Sequence, residues 1–206
     1  MTVEAGGGRG VAAKVPAVTL GFWVTKICAT TFGETAGDSV TMTMDLGYLA
    51  GTGIFLAMLV ALVFLQVRAD RFRPFLYWAT IAASTTAGTT LADFADRSLG
   101  IGYAGGTSVL LASVLVTLAL WYRAEGSIAV ETVSTPRVEA FYWATITLSQ
   151  TLGTALGDWM ADDTGLGYLG AALVFGAVLA VLAAAYRWSG VSRVFLFWAA
   201  FILTRP

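Results

Sequence analysis

Polar residues that could carry chemistry recur every four positions along one apolar segment near the start of the chain. These residues are Lys26, Thr30, Glu34 and Asp38. A spacing of four places side chains along one face of an α-helix. Charged side chains are costly inside a membrane and normally face a protein interior, where they have partners. The stripe is therefore a candidate functional site, in which Lys26 and Glu34 are natural partners for each other.

The later segments carry polar groups at the same depths as the first segment. These depths are counted from four similarly placed tryptophans. Seven residues after each tryptophan stand Thr30, Thr85, Gln150 and Arg205. Eleven residues after the first three stand Glu34, Thr89 and Thr154, and fifteen residues after them stand Asp38, Asp93 and Asp158. If these segments face one another, the layers form rings around a central axis or cavity. The aspartates are then the outermost ring, at ~22 Å from the tryptophans.

Such rings predict a path for a cation. Carboxylate and hydroxyl oxygens suit hard ions such as manganese, magnesium or calcium. The aspartate ring would admit the ion, and Glu34 with Thr89 and Thr154 would bind it near mid-membrane, assisted by Thr30, Thr85 and Gln150. Lys26 and Arg205 are the expected charge partners. The candidate metal ligands are Glu34, Asp38, Asp93 and Asp158.

The elements that position these residues are predicted to be transmembrane helices. Hydrophobic residues make up 57 % of the chain, only 12 % is charged and the mean hydropathy is +0.76, which favours a bilayer over water as the solvent. Long apolar stretches of spanning length cover 20–40, 47–67, 75–91, 102–122, 140–160 and 167–186. A seventh starts at Val194 and has too few residues to cross. We predict an all-α membrane bundle of about seven segments.

The segments form tandem two-helix repeats, which is the strongest pattern in the sequence. Trp23, Trp78, Trp143 and Trp198 open similar segments at intervals of 55, 65 and 55 residues, and a Gly-Tyr pair opens each following helix. The predicted organisation is a flexible cytoplasmic tail (1–19), repeat one (20–73), repeat two (74–124), a linker (125–138) containing Pro136, repeat three (139–193) and an incomplete repeat four (194–206). This organisation predicts a parent architecture of eight helices.

Within each repeat, the polar residues lie on the first helix. The second helices carry few polar groups beyond Ser and Thr, and we expect them to form a lipid-facing layer around the first helices. Small residues such as Gly33, Gly88 and Gly153 would let the first helices approach closely. The four tryptophans lie at the inner helix ends, where aromatic residues commonly anchor to lipid headgroups.

Basic residues predict the orientation in the membrane. All but one of the basic residues that flank the apolar segments fall in the N-terminal tail or after even-numbered helices, and Arg97 alone lies on the other side. The positive-inside rule then places the N-terminus in the cytoplasm. The outer loops carry Asp45, Asp96, Asp162 and Asp163. Such an acidic mouth would concentrate cations, or the loops are simply solvated.

Missing residue types exclude several classes of protein. The chain has no histidine, which excludes histidine-ligated haem, histidine-based zinc catalysis and a Ser-His-Asp triad. Cys28 is the single cysteine, so there is no internal disulfide and no all-cysteine metal site. A net charge of -1 gives no basic surface for nucleic acid. We therefore expect no cofactor, no nucleic-acid partner and no enzymatic activity.

The repeated phrases also resemble a known family. The residues Trp23-Val24-Thr25-Lys26 and Gly33-Glu34-Thr35-Ala36-Gly37-Asp38, echoed at Gly153-Thr154-Ala155-Leu156-Gly157-Asp158 and Phe201-Ile202-Leu203-Thr204-Arg205-Pro206, resemble bacterial membrane-anchored proteins made of a four-fold repeat of unknown function. The resemblance covers most of the chain from about Gly21. It implies a multi-pass protein of the bacterial inner membrane with about eight helices, and it implies no activity.

Two functions remain open on the sequence. The leading hypothesis is a small secondary transporter or channel for a cation, either a divalent metal or one coupled to protons through Glu34. The alternative is a non-catalytic structural or accessory subunit of a larger membrane complex, in which the polar stripe only holds helices together. Partners beyond the lipid bilayer would be a small cation, a second copy of the chain or that complex. The two hypotheses differ in whether the carboxylates converge on a water-accessible cavity.

Overall fold

The fold of the chain is taken from a computed structural model, which describes residues 13–95 and 100–204. The predicted all-α class is confirmed in this part of the chain, which forms seven α-helices. Their bounds are α1 Leu20–Asp38, α2 Tyr48–Arg68, α3 Pro74–Asp93, α4 Tyr103–Glu125, α5 Pro136–Asp158, α6 Gly167–Trp188 and α7 Arg193–Leu203.

α3 and α5 form the interior of the bundle, whereas α1 and α7 each bury only part of their surface. α3 packs between α1 and α5, and α7 packs against α5 and α6. α2 lies against α3, and α4 lies against α5, so each of these outer helices covers the first helix of the next repeat. Long runs of α3 and α5 are buried, including most of their polar residues. The bundle interior is therefore polar in places, and its surface is apolar.

The three outer helices α2, α4 and α6 are long and apolar enough to cross a membrane. Less than a quarter of each is buried inside the bundle, which agrees with the expected lipid-facing layer. The other described helices do not reach that hydropathy over a spanning length. α1, α3 and α5 are interrupted by buried threonines and charges, and α7 is a shorter apolar helix. Among the described residues, three helices are thus candidate membrane spans by composition, and the seven segments stay a prediction.

Glycines fix two features of this architecture. Gly47, Gly102 and Gly167 have positive φ angles of 75°, 76° and 65°, a left-handed conformation that glycine adopts easily, and α2, α4 and α6 begin at or just after them. Two further glycines are required where inner helices come into close contact. A Cβ on Gly33 would lie 2.8 Å from the carbonyl oxygen of Ala82, and one on Gly88 would lie 3.0 Å from the amide nitrogen of Thr151. The expected close packing of the first helices is confirmed at both positions.

Two of the four tryptophans are buried in the bundle, which differs from the expected headgroup anchors, while Trp23 and Trp78 are half-buried. Trp143 and Trp198 are each 3 % exposed and belong to an aromatic cluster at the N-terminal ends of the inner helices. In this cluster the ring centroids of Tyr77 and Trp143 are 5.5 Å apart, and the hydroxyls of Tyr77 and Tyr142 are 2.5 Å apart. Because the repeats place aromatic residues at one depth and successive first helices pack against one another, the rings meet.

The segments expected to be a tail and a linker are packed against this cluster. Lys14 is buried, and its amide nitrogen donates to the carbonyl oxygen of Val133 at 2.8 Å. Val133 itself is 1 % exposed. Pro136, interpreted as a linker residue, is instead the first residue of α5, a position where proline is favoured because the missing N–H has no partner to lose. Residues 1–12 of the expected tail lie outside the described residues.

Candidate functional site

The polar stripe on α1 passes from the bundle interior to its surface. Lys26 and Thr30 are fully buried, whereas Glu34 and Asp38 are half-buried. Asp38 is the last residue of α1, and Ser39–Thr43 continue as a five-residue π-helical turn. Asp158 ends α5 in the same way, before a π-helical turn at Trp159–Asp163.

Lys26 joins α1 to α7, at the far end of the chain. Its ammonium donates to the carbonyl oxygens of Phe201 at 2.8 Å and Thr204 at 3.1 Å, and to the Thr204 hydroxyl at 2.7 Å. It also lies 4.4 Å from the centroid of the Phe201 ring. These carbonyls are at the C-terminal end of α7, where the helix dipole favours a cation. The predicted pairing of Lys26 with Glu34 stays a prediction.

A cavity of about 630 Å³ lies between α1, α5, α6 and the end of α7. Three carboxylates from two helices line it: Glu34 and Asp38 of α1, and Asp158 of α5. Hydroxyls contribute as well, from Thr31, Thr35, Thr154, Tyr168 and Thr204, and the α6 side of the wall is mostly apolar. The cavity therefore presents oxygen ligands on one side and an apolar wall on the other.

The other predicted site residues lie inside the bundle. Thr85, Thr89 and Asp93 of α3 and Gln150 of α5 are buried and do not line the cavity. The three aspartates are thus divided, with Asp38 and Asp158 on the cavity and Asp93 away from it. Within 13–95 and 100–204, no three carboxylates lie close enough to hold a metal ion as one group. Arg205 lies outside the described residues.

The expected acidic outer mouth is described in part. Asp45, Asp162 and Asp163 are exposed, and Asp162 accepts a hydrogen bond from the Tyr103 hydroxyl at 3.1 Å. Asp96 and Arg97 lie outside the described residues. The exposed carboxylates follow the C-terminal ends of α1 and α5, on the side of the cavity that holds Asp38 and Asp158. Negative charge is therefore concentrated toward this end of the bundle.

The sequence reasoning missed one buried ion pair at the opposite end. The Lys14 ammonium lies 2.6 Å from Glu139 Oε1, with side-chain exposures of 9 % and 1 %. Lys14 also donates to the carbonyl oxygen of Val67 at 3.2 Å, so the junction joins the N-terminal segment, the end of α2 and the start of α5. No sequence signal indicated the pair, since Lys14 stands in a glycine-rich segment and Glu139 at the edge of a polar stretch.

These features define a class: an all-α protein of tandem two-helix repeats, with outer helices able to cross a membrane and polar residues on the inner ones. The chain belongs to the family described as Repeat of Unknown Function (DUF347), whose sequence profile matches residues 21–72, 76–127 and 141–192. The expected membership of a repeat family of unknown function is thereby confirmed, with three repeats matched. Comparisons with curated proteins and with solved structures give no match.

Proposed function

We propose that this protein is a membrane transporter or channel for a small cation, and that the cavity between α1, α5 and α6 is the entrance to its path. One observation carries the proposal: Glu34, Asp38 and Asp158, from two different repeats, open onto a single cavity of about 630 Å³. Their shared access to one cavity supports a binding role over a purely structural one. Carboxylate and hydroxyl oxygens around such a space favour a hard cation or a proton.

The membrane arrangement is part of this proposal. The inner helices α1, α3 and α5 have 19, 20 and 23 residues, about 28 to 35 Å at 1.5 Å per residue, which is enough to cross a bilayer. With α2, α4 and α6 beside them, they would span it, α3 and α5 as a polar interior and α1 with its buried polar face turned inward. We further propose a bacterial inner-membrane location with the N-terminus in the cytoplasm, on the distribution of basic residues. The cavity and the acidic loops would then open to the outside.

The test is cation flux in liposomes that contain the purified protein. Proton, sodium, potassium, magnesium, calcium and manganese fluxes are compared for the unmodified chain and for Glu34→Gln, Asp38→Asn and Asp158→Asn. Asp163→Asn is the matched control, since Asp163 is exposed and does not line the cavity. We expect a flux that the three cavity variants lose and the control keeps.

Two results would contradict this proposal. Equal flux in all five proteins would show that the cavity carboxylates do not carry the ion. Absence of every flux from folded protein would favour the alternative function, an accessory or structural subunit whose polar residues serve packing. For that reason, folding of each variant is checked by its thermal unfolding before flux is measured.

A further inference from the structure

The cavity beside the end of α7 is elongated. Along α1 its lining runs from Ile27 to Asp38, and along α6 it runs from Leu179 to Tyr168. Each stretch rises about 16 Å at 1.5 Å per residue. Tyr168 follows the turn after Asp158, so it lies at the same end of the cavity as the two aspartates. From this end, called the outer end, the cavity extends about three helical turns into the bundle.

The polar and apolar groups of the cavity are separated along its length. Asp38 and Asp158 end their helices at the outer end, and Glu34 stands one turn deeper. Ile27 and Leu203 line the inner end. The α6 wall between the two ends is apolar and consists of Ala171, Ala172, Phe175, Gly176 and Leu179. A small cation at the carboxylates would leave this apolar part of the cavity empty.

Both rims of the cavity are exposed on the bundle surface. On α1, Ile27 is 46 % exposed, and Thr31 and Thr35 are exposed as well. On α6, Ala172 and Gly176 are exposed, and α6 is apolar enough to cross a membrane. In the proposed membrane arrangement, residues at this depth border lipid hydrocarbon. The cavity then also opens sideways into the bilayer, where a molecule with a hydrocarbon body can enter and a hydrated metal ion cannot.

The size and the lining of the cavity are typical of a site for an organic ligand. Such sites have volumes of about 300–1,000 Å³ and are mainly apolar, with a few polar groups that fix the orientation of the ligand. The cavity of about 630 Å³ falls within this range. Phe175 and Tyr168 add aromatic rings to the α6 wall, and aromatic rings attract quaternary cations.

We propose that the cavity binds an amphipathic organic cation, such as a quaternary ammonium or phosphonium ion with a hydrocarbon body. The charge of this ligand lies near Asp38, Asp158 and Glu34, and its body lies along the apolar α6 wall. The inference goes beyond the proposed function, since it assigns a second class of ligand to the same cavity. The organic cation and the small cation would compete for the same carboxylates.

Lys26 gives this ligand one orientation. Its ammonium donates to the Thr204 hydroxyl at 2.7 Å, and Thr204 lines the inner end of the cavity. A positive charge at that end repels the charged head of the ligand. The head therefore lies at the outer end, and the hydrocarbon body points inward.

The test is the binding of radiolabelled tetraphenylphosphonium to the full chain in nanodiscs, with protein-free nanodiscs to subtract partition into lipid. We expect saturable binding that unlabelled tetraphenylphosphonium displaces. Tetramethylammonium has the same charge but almost no hydrocarbon body, so it should displace the label only at a far higher concentration. Absence of saturable binding, or equal displacement by tetramethylammonium, would overturn the inference.

Two leucine substitutions on α6 locate the site. Gly176→Leu fills the apolar part of the cavity without a clash, because a Cβ at Gly176 meets nothing within 4 Å. Ala177→Leu is the matched control, since Ala177 is exposed and does not line the cavity. We expect Gly176→Leu to abolish the binding and Ala177→Leu to keep it. Undiminished binding by Gly176→Leu, or loss in both folded variants, would place the bound label elsewhere and overturn the inference.

Asp158→Asn tests the role of charge, and it should lose the binding while its thermal unfolding shows a folded protein. Unchanged binding by this variant would also overturn the inference. The binding measurement and the flux measurement can fail separately. Metal or proton flux without binding of tetraphenylphosphonium would reject only the organic ligand, whereas binding without any flux would reject transport and retain the site.

Discussion

Removing one partner of the buried Lys14–Glu139 ion pair should destabilise the protein far more than removing both. The variants are Glu139→Gln, Lys14→Met and the two combined. The ammonium and carboxylate lie 2.6 Å apart, and neither side chain is more than 9 % exposed. After Glu139→Gln, the buried Lys14 ammonium keeps neutral acceptors, the Val67 carbonyl at 3.2 Å and the amide oxygen, but loses its counter-charge. After Lys14→Met, the Glu139 carboxylate stays buried without its counter-charge.

The size of the expected destabilisation follows from the burial of both charges. Two unit charges at this separation attract by roughly 6 kcal/mol at an effective dielectric constant of about 20, and the cost of desolvating both charges offsets much of that. Breaking such a pair from one side typically costs about 3–5 kcal/mol, because an uncompensated charge stays buried. The double variant buries no charge, so it should lower the free energy of unfolding by much less than the sum of the two single variants. A coupling free energy of several kcal/mol is therefore expected.

The assay is reversible unfolding in detergent micelles, followed by circular dichroism, with a double-mutant cycle for the coupling free energy. The exposed pair of Arg137 and Glu125 is the matched control, with a distance of 3.1 Å and side-chain exposures of 70 % and 25 %. Exposed pairs contribute about 0–1 kcal/mol, so Glu125→Gln should be nearly neutral. If the coupling of Lys14 with Glu139 were below about 0.5 kcal/mol, or no larger than that of the control pair, the electrostatic reasoning would be refuted.

Other predictions concern the contacts between inner helices. Gly88→Ala should destabilise the protein by about 1–3 kcal/mol, because the new Cβ would lie 3.0 Å from Thr151. The control is Gly53→Ala on α2, where a Cβ would meet open space, and it should be neutral or stabilising in the same unfolding assay. Lys26→Met should lower the free energy of unfolding by at least roughly 1.5–3 kcal/mol, the range for a hydrogen bond to a charged group. It should also raise the rate of amide hydrogen exchange selectively in α7. Unchanged exchange in α7 would show that Lys26 does not hold that helix in place.

The sequence alone predicted the local structure well, because helix formation and repeats are encoded within short windows. The all-α class, the Gly-Tyr starts of the outer helices and the polar character of the inner helices all follow from spacing and hydropathy. The close approach at Gly33 and Gly88 also followed, because glycine spacing is a local signal. The number of membrane spans stays a prediction, since α2, α4 and α6 are apolar enough to cross a membrane by composition whereas α1, α3 and α5 are more polar.

Which residues meet across the bundle was decided only by the tertiary structure. Lys26 binds Thr204, 178 positions away, a contact that the sequence did not indicate. Lys14 and Glu139, from segments interpreted as a tail and a linker, form a buried pair. The repeat register predicted a symmetric ring of aspartates, yet Asp38 and Asp158 line the cavity and Asp93 does not. Sequence determines the depth of each residue along its helix, whereas the partner across the bundle depends on how distant helices pack.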